Sequence, residues 1–275
     1  MHIDRERASA AFDEYVSAYD PQNPRIALKV AHTLRVADVA ERIARDQGLC
    51  DHDVDLAWLC GLLHDMGRFE QVRRWDTFRD AQSTSHAHLG VDVLFGPREL
   101  LGHPVPDDPR PRIRDFVDEG GDDLIHKAVE LHSDYRLPKG LDERTRLFCD
   151  ITRDADKIDI LYTASIDTPE AMLGCSMDEL LGSTLSAEAT RAFDERRCML
   201  RDERSQPADF LVSFACFAFE LSCAASRKIM AEQGCATKLL ERPFGTTEPF
   251  RDNHTRTELE RMAHELRIYL EGDAS

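Results

Sequence analysis

Apolar side chains recur along this chain at i, i+3, i+4 and i+7, and no segment alternates with period two, so the pattern predicts an all-α fold. The spacing predicts helices over 4–18, 24–47, 52–65, 84–95, 122–134, 142–164, 208–233 and 254–271. Asn23-Pro24 supplies a capping side chain and a first-turn proline for the second of these, and Gly48 closes it. Met66-Gly67 is read as the end of the third. Five prolines and two glycines between Gly96 and Pro111 predict a surface loop. From about Ser165 to Pro207 short helical patterns mix with turn residues, which marks a linker or cap. The expected organisation is a helical core over 1–165 and a C-terminal helical extension over 166–275 packed on it. Phe210, Phe214, Phe217 and Phe219 could let the 208–233 helix close over a site or form a homodimer face, but core packing is the preferred reading.

Within these stripes certain polar residues occupy apolar positions. His32 falls in line with Leu28, Val36, Val39 and Ile43. His64 follows Cys60 by four residues and Leu56 by eight, with Asp65 beside it. His132 continues the line of Leu124 and Ala128, and Asp156 lies between Thr152 and Ile160 on a helix that also carries Phe148, Ile151, Ala155 and Ile158. Taken singly, each histidine reads as a hydrogen-bonded core residue, and each aspartate as a solvated helix end or half of an ion pair, with Arg153 and Lys157 close to Asp156. A buried, unpartnered carboxylate costs several kcal/mol. Inward-facing His and Asp residues on separate helices are more economically explained together, as ligands of metal ions.

Charge and cysteine usage narrow the class. Lys and Arg number 35 against 52 Asp and Glu, a net charge of −17. That balance repels nucleic acid, so a polynucleotide substrate is disfavoured. The 8 cysteines show no C-x-x-C spacing and several sit inside apolar patterns, as expected for small core residues in a reducing compartment. Met1 to Glu6 lacks the apolar core of a signal peptide, and the most apolar stretch, Phe210 to Ala225, contains Glu220 and is shorter than the roughly 20 residues that span a bilayer. A cytoplasmic protein without a membrane segment is expected.

The order His32, then His64-Asp65 within GLLHDMGR, then Asp156 within RDADKID resembles the HD superfamily of metal-dependent phosphohydrolases. The resemblance covers about residues 24–165 and implies a helical bundle with the metal at its centre. It implies His32, His64, Asp65 and Asp156 as ligands of a first metal ion. Ser85 to Val91 is similar to the family's DHAxLG segment and adds His86, while His132 fits a further position; the set is then that of the binuclear branch, with Asp65 as the bridge. Ser85 replaces the usual acidic residue, and His88 competes with His86; two residues apart, only one of them can face the centre.

One or two divalent transition ions (Fe, Mn, Ni, Zn or Co) suit such imidazole-rich ligands better than Ca or Mg. The expected reaction is attack by a metal-activated hydroxide on a small-molecule phosphate ester. Beside Asp65, Arg68 and Lys157 are candidates to neutralise phosphate oxygens, whereas Arg73, Arg74 and Arg79 read as partners of Glu70, Asp76 and Asp80. Asp134 and Asp159 are read either as hydrogen-bond partners of ligand histidines or as surface residues. Two other readings use the same residues: a di-iron oxygenase of HD type, and a regulatory module that binds a nucleotide without turning it over.

Overall fold

Local capping chemistry sets the first helices. Asp4 accepts from Arg7 N and opens α1 (Arg5–Ser17), and Asn23 accepts from Arg25 N ahead of Pro24 to open α2 (Pro24–Asp46). Gly48, at φ +76°, takes the left-handed conformation that lets the chain leave α2. In the computed structural model, residues 1–96, 99–100, 103–104 and 112–272 are described. Most of the loop expected between Gly96 and Pro111 lies outside the described residues; within it, Glu99 pairs with Pro104 and Leu100 with His103 in a two-residue antiparallel ladder. All other regular structure among the described residues is helical.

The chain divides into two compact units, Met1–Asp156 and Lys157–Ser275, with the division inside a continuous helix rather than near Ser165. The first unit continues with α3 (Asp51–Leu63), α4 (Met66–Trp75), α5 (His86–Phe95), α6 (Ile113–Phe116), α7 (Asp122–Leu131) and the start of α8 (Glu143–Ile166). Met66-Gly67 does not end the helical run as expected. Asp65 alone leaves helical geometry (φ −106°, ψ 17°), and Met66 begins a new helix at once.

Two glycines fix the helix crossings. A Cβ on Gly61 would lie 2.8 Å from Ala37 Cα, so α3 lies against α2 at backbone distance. A Cβ on Gly67 would lie 2.1 Å from the carbonyl oxygen of His86 and 2.5 Å from Gly90 N, so α4 and α5 are equally close. Gly67 is thus a packing residue and not a helix terminator. From outside, Phe12 and Tyr15 of α1 and Tyr19, just past its end, pack around Phe69 of α4, and the Tyr15 hydroxyl donates to Met66 O at 2.8 Å. Glu70 is fully buried, where it accepts from Tyr19 Oη at 2.6 Å and pairs with Arg73 and Arg74.

The second unit holds the rest of α8 and α9 (Pro169–Met172), α10 (Met177–Gly182), α11 (Ala187–Asp194), α12 (Pro207–Ala215), α13 (Ala224–Gln233), α14 (Cys235–Glu241) and α15 (Asn253–Gly272). The single helix expected over 208–233 is broken. After Ala215 the chain tightens into 3₁₀ turns over Cys216–Glu220 and extends at Leu221 and Cys223. Cys216, Ala218, Leu221 and Cys223 are buried at spacings of two and three, which a continuous α-helix does not bring to one face. Phe219 packs edge-on against Phe193 and Tyr269 inside this unit. No helix among the described residues is long and apolar enough to cross a membrane. All eight cysteines are free thiols, six of them buried.

Candidate metal centre

The α2–α3 crossing at Gly61 sets His32 beside His64, with ring centroids 5.3 Å apart. The break at Asp65 then turns its carboxylate into the same space, with 2% of the residue exposed. The α4–α5 crossing at Gly67 brings in His86, and α7 delivers His132 from its last turn. His32, His64, His86 and His132 are all buried. Asp156, on α8, reaches the cluster from its edge and keeps 17% side-chain exposure.

The two oxygens of Asp65 face different histidines. Oδ2 lies 3.6 Å from His32 Nε2 and 3.5 Å from His64 Nε2, whereas Oδ1 lies 3.6 Å from both His86 Nε2 and His132 Nε2. Asp156 Oδ1 completes the first group, at 3.2 Å from His32 Nε2 and 3.8 Å from His64 Nε2. His86 Nε2 and His132 Nε2 are 3.0 Å apart.

Hydrogen bonds on the far side of three rings fix their tautomers. His64 Nδ1 is 2.7 Å from Gly61 O and His132 Nδ1 is 2.8 Å from Val129 O; a carbonyl only accepts, so both Nδ1 atoms carry the proton. His86 Nδ1 donates to the Asp80 carboxylate at 2.8 Å. Burial pushes His64 down to about 4, and burial together with the Arg68 charge pushes His86 down to about 3, so both rings are neutral at pH 7. Their Nε2 lone pairs therefore point into the cluster, where His64 Nε2 has no hydrogen-bond partner among the described residues. Burial opposes ionisation of Asp65, but Lys29, His64, His132 and Arg68 hold it well below the usual carboxylate range. Asp156 is also held low, with burial outweighed by His32 and His64.

Convergent nitrogen lone pairs around ionised carboxylates form a cradle for cations. His32, His64 and Asp156 present ligand atoms within 4.8 Å of one another, as do His64, Asp65 and His132. Two nitrogens about 2.1 Å from a common ion and at right angles to each other are about 3.0 Å apart, which is the His86–His132 spacing. The donor set thus fits metal ions. His88, the competitor of His86, is exposed on the opposite side of α5, and the Ser85 side chain caps that helix by accepting from His88 N, the task an acidic residue would perform there.

The other candidates lie as follows. Arg68 Nε is 3.6 Å from Asp65 Oδ1, but its Nη1 donates to Gln71 Oε1, Phe78 O and Asp80 Oδ1. Lys157 Nζ donates to the carbonyl of Glu220 at 3.4 Å. Neither Asp134 nor Asp159 is the acceptor behind His64, His86 or His132, which use Gly61 O, Asp80 and Val129 O. Two residues were not singled out from the sequence. Asp80 sat in a run read as surface ion pairs, yet it is the acceptor for His86, Arg68 and Gln71 together. Lys29, three residues before His32 and so on the same side of α2, places Nζ 2.7 Å from Asp65 Oδ2. That i, i+3 spacing was the available signal. Behind the cluster, Arg153 donates to the carbonyls of Leu131, His132 and Asp134 and secures the end of α7.

No curated protein and no solved structure matches the chain. Residues 30–161 match the family model described as HD domain, and this segment, an HD domain within the chain, contains all four histidines and both aspartates of the cluster.

Proposed function

We propose that this protein is a metal-dependent hydrolase of a small phosphate ester, with a binuclear centre built on Asp65. In this reading His32, His64 and Asp156 would hold one divalent transition ion together with Asp65, and His86 and His132 would hold the other together with the same aspartate. The observation that carries it is the division of the Asp65 oxygens between separate histidine pairs, each within 3.6 Å. When bound, the ions would supply Lewis acidity, making water a better nucleophile and drawing charge from phosphoryl oxygens.

The chain's own residues supply the rest. Asp80 holds His86 in the tautomer that presents Nε2, and the backbone carbonyls of Gly61 and Val129 do the same for His64 and His132. Arg68 keeps a positive charge beside Asp65 while its hydrogen bonds tie down the segment around Phe78 and Asp80. The low-dielectric surroundings of these buried groups strengthen their electrostatic action on a bound anion. Lys157 remains a candidate for phosphate contact through its place next to Asp156.

Elemental analysis of protein purified without chelator, wild type and Asp65→Ala, should be paired with a screen of small phosphate esters. Near-stoichiometric transition metal in the wild type, its loss in the variant and metal-dependent phosphate release are expected. Wild-type protein that binds no transition metal would overturn the reading, and bound iron with O₂ uptake but no phosphate release would replace it with the oxygenase.

A further inference from the structure

Lys29 is the ammonium closest to the bridging carboxylate: its Nζ lies 2.7 Å from Asp65 Oδ2, and its side chain keeps 15% exposure, so it stands between the buried cluster and the surface. Its Nζ also sits 5.4 Å from the Phe78 ring centroid, with Arg68 Cζ 5.6 Å from the same ring. The ring and the two cations form one wall beside Asp65. The cations on this wall are committed differently. Arg68 cannot turn to a ligand without releasing Gln71, the Phe78 carbonyl and Asp80. Lys29 pairs with a single carboxylate oxygen, the one that faces His32 and His64.

Loading the centre changes the surroundings of Lys29. Two divalent ions would take over the charge of Asp65, and with Asp65, Asp156, Asp80, Lys29 and Arg68 counted the centre holds a positive balance of about three charges. An ammonium at hydrogen-bond distance from a carboxylate already shared between ions gains most from a new anion placed over them. Resting on the hydrolase reading above, we propose that Lys29 receives the third non-bridging oxygen of a phosphate monoester, the one a diester replaces with an ester oxygen, and makes the centre selective for a dianionic terminal phosphate over a monoanionic diester.

The test is calorimetric titration of inorganic phosphate into the Mn²⁺-loaded full chain, for wild type, Lys29→Met and Lys29→Arg, with metal content measured on each. KM and kcat are then determined for p-nitrophenyl phosphate and bis(p-nitrophenyl) phosphate. Lys29→Met should keep its metal and bind phosphate about 10- to 100-fold more weakly, the range for one charge-assisted hydrogen bond. Its KM for the monoester should rise while that for the diester holds, and Lys29→Arg should restore most phosphate binding. Unchanged phosphate affinity in metal-replete Lys29→Met would overturn the proposal. So would loss of metal from that variant, because Lys29 would then be supporting Asp65 alone, and so would a loaded wild type that binds no phosphate. Lys29-dependent phosphate binding without turnover of any ester would sink the hydrolase reading and leave the anion site standing.

Discussion

His86 Nε2 and His132 Nε2 approach to 3.0 Å while the opposite nitrogen of each ring donates to a fixed acceptor, Asp80 for one and Val129 O for the other. Two lone pairs held face to face repel unless a positive centre, a proton or a metal ion, sits between them. His86→Ala or His132→Ala should therefore cut bound metal to about half the wild-type content, with the His32–His64–Asp156 group still loaded. Elemental analysis reads this directly, and full metal content in either variant would contradict a second ion at this pair. Chelator should lower the Tm of wild type more than that of either variant, because less bound ligand is then removed.

Asp80 offers a different handle, since it supports His86 from behind while also accepting from Arg68 and Gln71. Asp80→Asn keeps the shape of the side chain but can offer an N–H to His86 Nδ1, which favours the tautomer whose Nε2 bears a proton and cannot bind an ion. Metal affinity should fall about 10- to 100-fold, the usual scale for losing the partner of a ligating imidazole. Competition with a chromogenic chelator would measure it. An unchanged affinity would mean that the Asp80–His86 bond only holds the loop between α4 and α5.

The parts of the site that were legible in the sequence are those that violate hydropathy. His32, His64, His132 and Asp156 stood out because each occupied an apolar stripe, and the structure brings them together with Asp65. Lys29 and Asp80 were missed for the converse reason: a charged residue among other charged residues is ordinarily solvated, and only the crossings of α2 with α3 and α4 with α5 turn these two inward. The same crossings explain the misreading at Met66-Gly67. A glycine after an apolar run signals termination as readily as close packing, and sequence alone carries no record of the backbone facing it. The break within 208–233 was illegible because its residues are apolar on nearly every side, which hides a change from α to 3₁₀ geometry.

Gly67 should be among the least substitutable residues of the first unit. Its hypothetical Cβ meets backbone rather than a side-chain tip, so a rotamer change cannot relieve the clash and α5 itself must move. Gly67→Ala should cost about 1–3 kcal/mol or more, as overpacking does, although alanine is the better helix former. Displacing α5 carries His86 with it, so second-site metal should be lost before the fold is. Denaturant unfolding and metal analysis of the same preparation separate these effects. A variant as stable and as metal-rich as wild type would show that the α4–α5 distance does not set the site.

The ion pair that fastens the start of α8 to α3 predicts a pH dependence independent of metal. Arg144 meets Asp53 through both terminal nitrogens, at 2.9 and 2.5 Å, and His52 Nδ1 lies 3.2 Å from the same carboxylate. Arg144, against the opposing effect of burial, draws Asp53 from its model-peptide value of 3.8 down to about 2. Between those values the unfolded chain binds more protons at this residue than the folded one, so folding stability rises with pH there. The contribution is complete above about pH 4 and lost as the pH falls through about 2. Asp53→Asn removes the titrating group, so wild type should exceed the variant in Tm at pH 5 and the gap should close toward pH 2. The effect should be small, because Arg144 keeps half of its side-chain surface in solvent. Scanning calorimetry of both proteins in the presence of chelator isolates it from metal release. A gap that stays constant from pH 5 to 2 would show that the ionised state of Asp53 is not what stabilises the folded chain there.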